Sequence, residues 1–491
     1  MNKTNYLLIR NIRGNWPLRL LYEFSHNTPT IRTFGYINLI GQEYFPPHKP
    51  ARLLISARLL EKLISKIFFI NPLPRFVEKN FAKEGKIHKL ERFNLLSIRV
   101  VLKLLKMNNS EKLQNMEYRG IPFGQFIHTT LIAKYGVKHF RINRVQFLSN
   151  FNIFMRFLIA FNTILNILNK YNYDTIVLIN GRDSVGVGSQ LAAFIKSVNV
   201  TCLENDLSKP NIPKFGEWGG NMHHWKVREF EMLKTLETSN LTAAASIDFI
   251  KKQFSYSSRT WGGREIQAIP SQLLRQDYVC FFTTSEKETT TCPTGIPTEN
   301  SFDNFDQSQI LKSIYQILNQ TNYQLVIRLH PNFSKTRVAR NEMNYFVSLT
   351  KSWKNTIIIG NESSVDSYQL AMHSKLNFIF RSSIAAELAC RGLVAFHTAP
   401  AFWSILCPDK VAVSQNQLTD LILNKKRSRT SHSADFFGFA SMYQSHGKEF
   451  KKFKFMPFDE GSRDKRVRKY KTYVDDIELE IPRFSIYQFR E

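Results

Sequence analysis

Cysteine is scarce in this chain, and its placement excludes more than its number does. Cys202, Cys280, Cys292, Cys390 and Cys407 are odd in number, scattered, and form no CxxC pair. That encodes neither a disulfide frame nor a zinc site and suits a reducing cytoplasm. Long uninterrupted apolar runs are missing as well. The most apolar long segment, 151–168, is broken by Arg156, Asn162 and Asn166, so it reads as an amphipathic core helix rather than a bilayer span. The first ten residues hold only a short apolar run, followed by Arg10, Arg13 and Trp16, which is not the pattern of a signal peptide. Acidic residues are few: 40 Asp and Glu against 67 Lys and Arg, a net charge of +27. Such a balance suits nucleic acid, an anionic membrane face or anionic substrates. Zinc-finger spacing, an aromatic RNA-recognition submotif and a basic region followed by heptads are all lacking, so no nucleic-acid partner is expected. No DxD element stands at a strand end; Asp475 and Asp476 lie in the tail. Neither a metal nor an organic cofactor is expected, and no internal repeat is visible.

What is present is ample material for packed cores. At 491 residues with 43% apolar and 13% aromatic content, two domains are the natural expectation. The first part is helical in pattern, with segments at 50–68, 90–106 and 151–170 and little strand signal. A loop at 117–124 carries Arg119 and Gly120. Beyond Tyr173 a βαβ unit emerges: a strand at 175–179, the turn Asn180-Gly181-Arg182-Asp183, a helix at 189–197, and a strand at 200–203 ending in Glu204-Asn205-Asp206. A Gly-, Pro- and Trp-rich loop follows at 210–225, with His223 and His224. From 270 to 424, strands at 278–282, 323–327, 356–359, 376–380 and 394–397 alternate with helices at 306–318, 337–352, 365–373 and 384–391. Alternation of that kind specifies a doubly wound parallel sheet.

In an open α/β sheet, ligands bind beyond the carboxyl ends of the strands. Four strand ends of the second half deliver polar residues to that edge. Thr283, Thr284 and Ser285 follow the first strand. Arg328 and His330 follow the second, with Pro331 forcing the turn. Ser363, Ser364 and Asp366 follow the third, and Ser382 and Ser383 cap the helix after the fourth. Helix N-termini cradle phosphates, and Glu387, one turn beyond Ser383, is placed to meet a ribose hydroxyl. A His-Pro pair or an N-cap Ser-Ser pair is most often structural when it stands alone. Their convergence on one sheet edge points to a phosphorylated, nucleotide-activated ligand.

The series Asn180-Gly-Arg182, Glu204, 281–286, Arg328-Leu-His330-Pro331-Asn332, Asp366-Ser367-Tyr368 and Ser382-Ser383-x-x-x-Glu387 resembles the bacterial capsule polysaccharide biosynthesis proteins, over roughly residues 115 to 400. The resemblance implies a GT-B-like α/β fold of two Rossmann-like doubly wound domains facing a cleft, with the nucleotide-sugar held mainly by the second. The His-Pro and Ser-Ser elements also resemble those of polysialyltransferases and teichoic-acid glycerophosphotransferases, which use cytidine-nucleotide donors. There the His and Ser residues contact donor phosphates, a role that would fall on His330, Ser382 and Ser383. The acidic-acidic-glycine motif that supplies the base in polysialyltransferases is not found. Glu204 and Asp183 are the alternatives for the base, with Asp206 behind them.

These readings give an acceptor-side α/β domain over 1–269, a nucleotide-sugar domain over 270–424 and a basic tail over 425–491. Arg328, His330, Ser382, Ser383, Glu387, Thr284 and Ser285 are expected on the donor; Asn180, Arg182 and Arg119 on the acceptor side; Glu204, Asp183 and His330 in catalysis. The expected activity is transfer of a sugar from a nucleotide-activated donor to a glycan or lipid-linked acceptor during surface or capsular polysaccharide biosynthesis; the resemblance to the cytidine-nucleotide enzymes suggests a CMP- or CDP-linked nucleotide-sugar without fixing the nucleotide. The basic tail would hold the protein at the anionic inner face of the cell membrane. A glycerophosphotransferase and a non-catalytic assembly or export partner are the alternatives.

Overall fold

The structure is a computed structural model. It describes residues 4–10, 21, 24, 31–38, 86–87, 95–107, 109–135, 147–206, 214–219, 225–238, 240, 242–259, 269–271, 273–285, 305–330, 333, 337–424, 433–445, 448–449, 454–455, 470–474 and 477–481.

Buried apolar strands organise both halves. The first sheet holds β1 (Thr4–Arg10), β2 (Ile31–Asn38), β3 (Lys86–Ile87), β4 (Thr175–Ile179), β5 (Asn199–Asp206) and β6 (Lys214–Trp218), in the order β3-β2-β1-β4-β5-β6. All neighbours are parallel except β6, which runs against β5. This 3-2-1-4-5-6 order is that of a dinucleotide-binding doubly wound fold. Every residue of β4 is buried, as expected for a parallel strand covered on both faces. Its helices are α1 (Leu95–Leu105), α2 (Ser110–Gln114), α3 (Phe123–Tyr135), α4 (Phe147–Lys170), α5 (Ser184–Ile195), α6 (Trp225–Thr238) and α7 (Ala243–Arg259). The stretch Asn150–Lys170 of α4 is long and apolar enough to cross a membrane, but most of it is buried and it packs against α1 and α5. Gly188 permits that approach: a Cβ there would meet the Phe157 carbonyl oxygen at 2.2 Å.

The second sheet holds β7 (Tyr278–Phe282), β8 (Gln324–Arg328), β9 (Thr356–Ile359), β10 (Leu376–Phe380) and β11 (Phe396–Ala399), all parallel, in the order β9-β8-β7-β10-β11. Read by position this is 3-2-1-4-5 again. The period of two along β7 sends Val279 and Phe281 into one apolar layer with Ile310, Leu311 and Ile314. Tyr278, Cys280 and Phe282 enter the other. Its helices are α8 (Gln307–Leu318), α9 (Arg337–Thr350), α10 (Ser367–His373), α11 (Ile384–Ala389) and α12 (Gln415–Ile422). The chain is thus an α/β protein of two Rossmann-like, doubly wound sheets.

Three expectations need correction, and some others fall outside the described residues. The first part is not merely helical, because β1 lies at the centre of the first sheet, between β2 and β4. The segment 50–68, His223 and His224 fall outside the described residues. β5 does not stop at Leu203 but runs through Glu204 to Asp206, paired with β6, which itself lies inside the segment read as loop. Finally, the tail is not all tail. A helix, α13 (Ser433–Ser445), buries Phe436, Phe439 and Ala440 and packs on α6, α7 and α11. The following β12 (Lys448–Glu449) pairs with β6. Gly438 lets α13 seat closely, since a Cβ there would lie 2.6 Å from Trp403 Cβ and 2.8 Å from Leu406 Cδ1.

Candidate functional site

The switch point of the second sheet lies between β7 and β10, where the strand order reverses and an open crevice for ligands is expected. Thr283, one residue past β7, ties two strand ends together. Its hydroxyl donates to the Arg328 carbonyl at 3.2 Å and accepts the His330 N–H at 2.9 Å. His330 is thereby held at the sheet edge, half-buried, with its ring 6.1 Å from that of Phe333. Thr283, read from sequence as one of three polar residues at this strand end but left out of the expected donor set, is the positioning residue.

Thr284 and Ser285 are corrected from donor-binding to scaffold. Both are buried. The amide of Gln307 clips the Thr284 backbone, accepting its N–H at 2.8 Å and donating to its carbonyl at 3.0 Å. Ser285 donates to Glu342 on α9 at 2.9 Å.

Arg328 is corrected as well. Its Nε donates to Ser367 Oγ at 3.1 Å, Nη1 to the Gly360 carbonyl, and Nη2 to the Ser363 carbonyl at 3.2 Å. The guanidinium is committed to the loop between β9 and α10, and burial lowers its pKa. It does not reach for a donor. It fixes the loop in which Asp366 caps α10, accepting the Tyr368 N–H at 2.8 Å.

That loop matters because α10 carries Tyr368. The Tyr368 hydroxyl donates to Glu387 Oε2, and Ser383 Oγ donates to Glu387 Oε1 at 3.1 Å. Arg391 stacks over the Tyr368 ring at 3.7 Å and donates to the Glu387 carbonyl at 2.9 Å. Burial raises the Glu387 pKa against these hydrogen bonds and the Arg391 charge. A carboxylate has room for more than two donors, so Glu387 keeps acceptor capacity in a fixed orientation. Ser382 and Ser383 therefore differ. Ser383 buttresses Glu387, whereas Ser382 Oγ only accepts, weakly, from the Ile384 N–H at 3.5 Å. The helix they precede, α11, is six residues long, shorter than the sequence pattern implied, so side chains rather than a helix dipole would have to hold an anion here. Just before them Arg381 has a left-handed backbone, φ 53.

On the first sheet the turn after β4 is left-handed at Asn180 (φ 59) and Gly181 (φ 76). Arg182 Nε donates to Asn180 Oδ1 at 3.0 Å. Asp183 caps α5, its Oδ1 accepting the N–H groups of Val185 at 3.0 Å and Gly186 at 3.2 Å. That role corrects its reading as a catalytic base. Glu204 lies inside β5, opposite Gly216. Thr130 on α3 donates to the Arg182 carbonyl at 3.4 Å, and α3 also touches α9, the helix that follows His330. Asn180 and Arg182 thus share a neighbour with the His330 side. Arg119 stands apart, in an exposed surface turn (φ 55) with its guanidinium 5.6 Å from the Tyr118 ring, before the start of α3 at Phe123.

A second polar cluster is buried behind the site. Asp435 on α13 accepts from Trp403 Nε1 at 3.0 Å and Lys410 Nζ at 2.7 Å, with His397 Nε2 at 3.1 Å and Cys407 Sγ at 3.5 Å. His, Cys and Asp together could suggest a metal centre. The ammonium of Lys410 on the same carboxylate makes it a poor one, and the cluster reads as a hub pinning α13 to the second sheet.

No family model and no curated protein matches this chain. Among solved structures, the β-Kdo 2,4 transferase of Thermosulfurimonas dismutans KpsC aligns at 9% identity and TM-score 0.34, over 56% of this chain and 84% of that one. The β-Kdo 2,7 transferase of the same KpsC gives 11% identity and 0.34, over 66% and 92%. MnaA of S. aureus with UDP gives 11% and 0.28, over 89% and 94%. Similarity at this level transfers no activity.

Proposed function

We propose that this chain is a GT-B-type glycosyltransferase that takes a sugar from a nucleotide-activated donor during surface or capsular polysaccharide synthesis. The observation that carries the reading is the convergence of His330, Ser382 and a braced Glu387 on the switch point of the second sheet, the edge where such folds bind nucleotides. In this reading His330 and Ser382 hold the donor phosphate and stabilise charge on it as it leaves. Glu387, held by Tyr368 and Ser383, accepts from the ribose. The acceptor hydroxyl loses its proton to a carboxylate as its oxygen bonds to the anomeric carbon and the bond to phosphate breaks. With Asp183 occupied as a cap, Glu204 is the proposed base. Asn180 and Arg182 line the acceptor side.

A thermal-shift screen with CMP, CDP, UDP and GDP tests the donor site. A nucleotide that binds the native state at a hundred times its Kd stabilises it by about 2.7 kcal/mol. His330→Ala and Ser382→Ala should each weaken that stabilisation and leave the unliganded melting temperature near wild type. No shift with any nucleotide at mM concentration would defeat the reading.

A further inference from the structure

We propose that the outer face of α1, together with the turn at 118–121, docks the first half of the chain on an anionic lipid surface. Vesicle binding needs no nucleotide, so this contact stands apart from the donor site. It belongs to the folded body of the protein rather than to the basic clusters near its end.

Helix α1 buries Val100, Val101 and Leu104 and packs against α4, so its other side is held outward. Arg99, Leu102, Lys103 and Lys106 occupy that side, at the i, i+3, i+4 and i+7 spacing of one helical face. All four are exposed, Leu102 by 54%. Farther along the chain, Tyr118 and Ile121 pair across a two-residue turn, with N–H to carbonyl bonds of 3.0 and 3.1 Å. Its exposed tip is Arg119 (φ 55) and Gly120 (φ 73). Two left-handed residues make a tight hairpin turn for which asparagine is the usual first residue; here the tip carries an arginine to solvent instead. The Tyr118 ring ties the turn to α1, with Lys103 Nζ over it at 4.7 Å and the Arg119 guanidinium at 5.6 Å. Arg99, Lys103, Lys106 and Arg119 form no ion pair among the described residues, although Glu111 and Glu117 are exposed nearby in sequence. Unpaired cations on one rigid face repel another copy of so basic a chain and attract an anion outside it. Lipid headgroups fit that face because a leucine stands amid the cations. In an interfacial helix the apolar side chain enters the headgroup boundary while the cations meet lipid phosphates. A sugar would call for an open aromatic platform, and the Tyr118 ring is half-buried and engaged by two cations. Helix α3 starts two residues past the turn, at Phe123. It reaches Thr130, which donates to the Arg182 carbonyl, after about 10 Å of helix. Docking by this face would therefore hold the acceptor-side turn close to the lipid.

The test is sedimentation of the full chain and three variants with phosphatidylglycerol vesicles at low salt. R99Q/K103Q/K106Q should bind the vesicles roughly a hundredfold more weakly, each cation near the surface being worth about fivefold. L102Q keeps every charge and should bind roughly threefold to tenfold more weakly, the scale of withdrawing one partly inserted apolar side chain. K312Q/K351Q/K354Q removes the same net charge from exposed lysines of the second half and should bind like wild type. All three should melt like wild type and keep its stabilisation by nucleotide, so failure here and failure at the donor site are read separately. Should R99Q/K103Q/K106Q melt lower, L102Q decides alone. Equal weakening by the second-half variant, undiminished binding by the α1 variants, or no vesicle binding by wild type would overturn the inference. So would α1 variants that lose binding to alginate, a soluble acidic polysaccharide, while keeping the vesicles, since the face would then belong to a glycan.

Discussion

Arg328 and His330 are two residues apart, and the structure gives them opposite work. Arg328 satisfies the carbonyls of Gly360 and Ser363 and the hydroxyl of Ser367. Lysine cannot make that fan of bonds from one ammonium. R328K and R328Q should each destabilise the protein by about 3 kcal/mol, the scale of breaking a buried charged network, seen as a lower urea midpoint. H330A should instead lower turnover roughly tenfold to a thousandfold while melting like wild type. If the two phenotypes exchange places, the assignments exchange with them. Asp435 gives a pH signature. Burial alone would raise its pKa, but the hydrogen bonds and charges of His397 and Lys410 outweigh burial and hold it at about 2. A carboxylate lowered on folding stabilises the native state above its unfolded value, near 3.9. That stability is lost as pH falls through the folded value, so the window runs from about pH 4 to pH 2 and the amount is about 2 kcal/mol. Urea melts of wild type across this window should show a fall that D435N lacks; parallel curves would remove Asp435 as the cause. The position of His330, Ser382 and Glu387 at the carboxyl-end edge of the second sheet was legible in the sequence, because a strand end followed by polar residues is a local signal. Arg328, Ser285 and Asp183 were misassigned because their partners are set by tertiary contacts or capping geometry that spacing does not show.

Helix α13 is the element that most changes the picture of the chain. Its sequence, with Phe436, Phe437 and Phe439 between small and polar residues, lacks a clean helical apolar face, and basic clusters flank it. It therefore reads as part of a tail. In the structure Phe402, Trp403 and Phe439 form one aromatic cluster, with Trp403 and Phe439 at 5.5 Å. Gly438→Val should destabilise by about 1–3 kcal/mol, the usual cost of overpacking, because the nearest atom is the anchored Trp403 Cβ. A wild-type melting temperature in that variant would mean the contact can open freely. The β1 and β2 strands escaped notice for a different reason. β1 finds its partner β4 far along the chain, with Asn5 N–H donating to Asp174 Oδ2 at 2.8 Å, a pairing that local spacing does not show.

At the scale of the molecule, we propose an anionic membrane surface as a partner, motivated by the net charge of +27 and the basic clusters near the end of the chain. A truncation at residue 424 cannot test this, since it removes Asp435 and the aromatic cluster along with the clusters. Deletion of residues 456–491 keeps α13 and β12. The full chain should sediment with phosphatidylglycerol vesicles at low salt and be released at high salt, and the deletion variant, which loses the basic cluster at 463–471 but keeps those at 425–429 and 448–454, should sediment less. Equal binding to neutral vesicles, or undiminished binding by the variant, would sink the idea.

The pairing of β12 with β6 and the seating of α13 on α6 and α7 also set an order in time. While the chain is being made, the first sheet carries β6 as an open edge, and the apolar faces of α6 and α7 wait for a helix encoded nearly two hundred residues later. An unpaired edge with exposed apolar surface is what aggregates during synthesis. Completion of the first half therefore belongs to the last stages of folding, and the two halves should unfold in one transition rather than two.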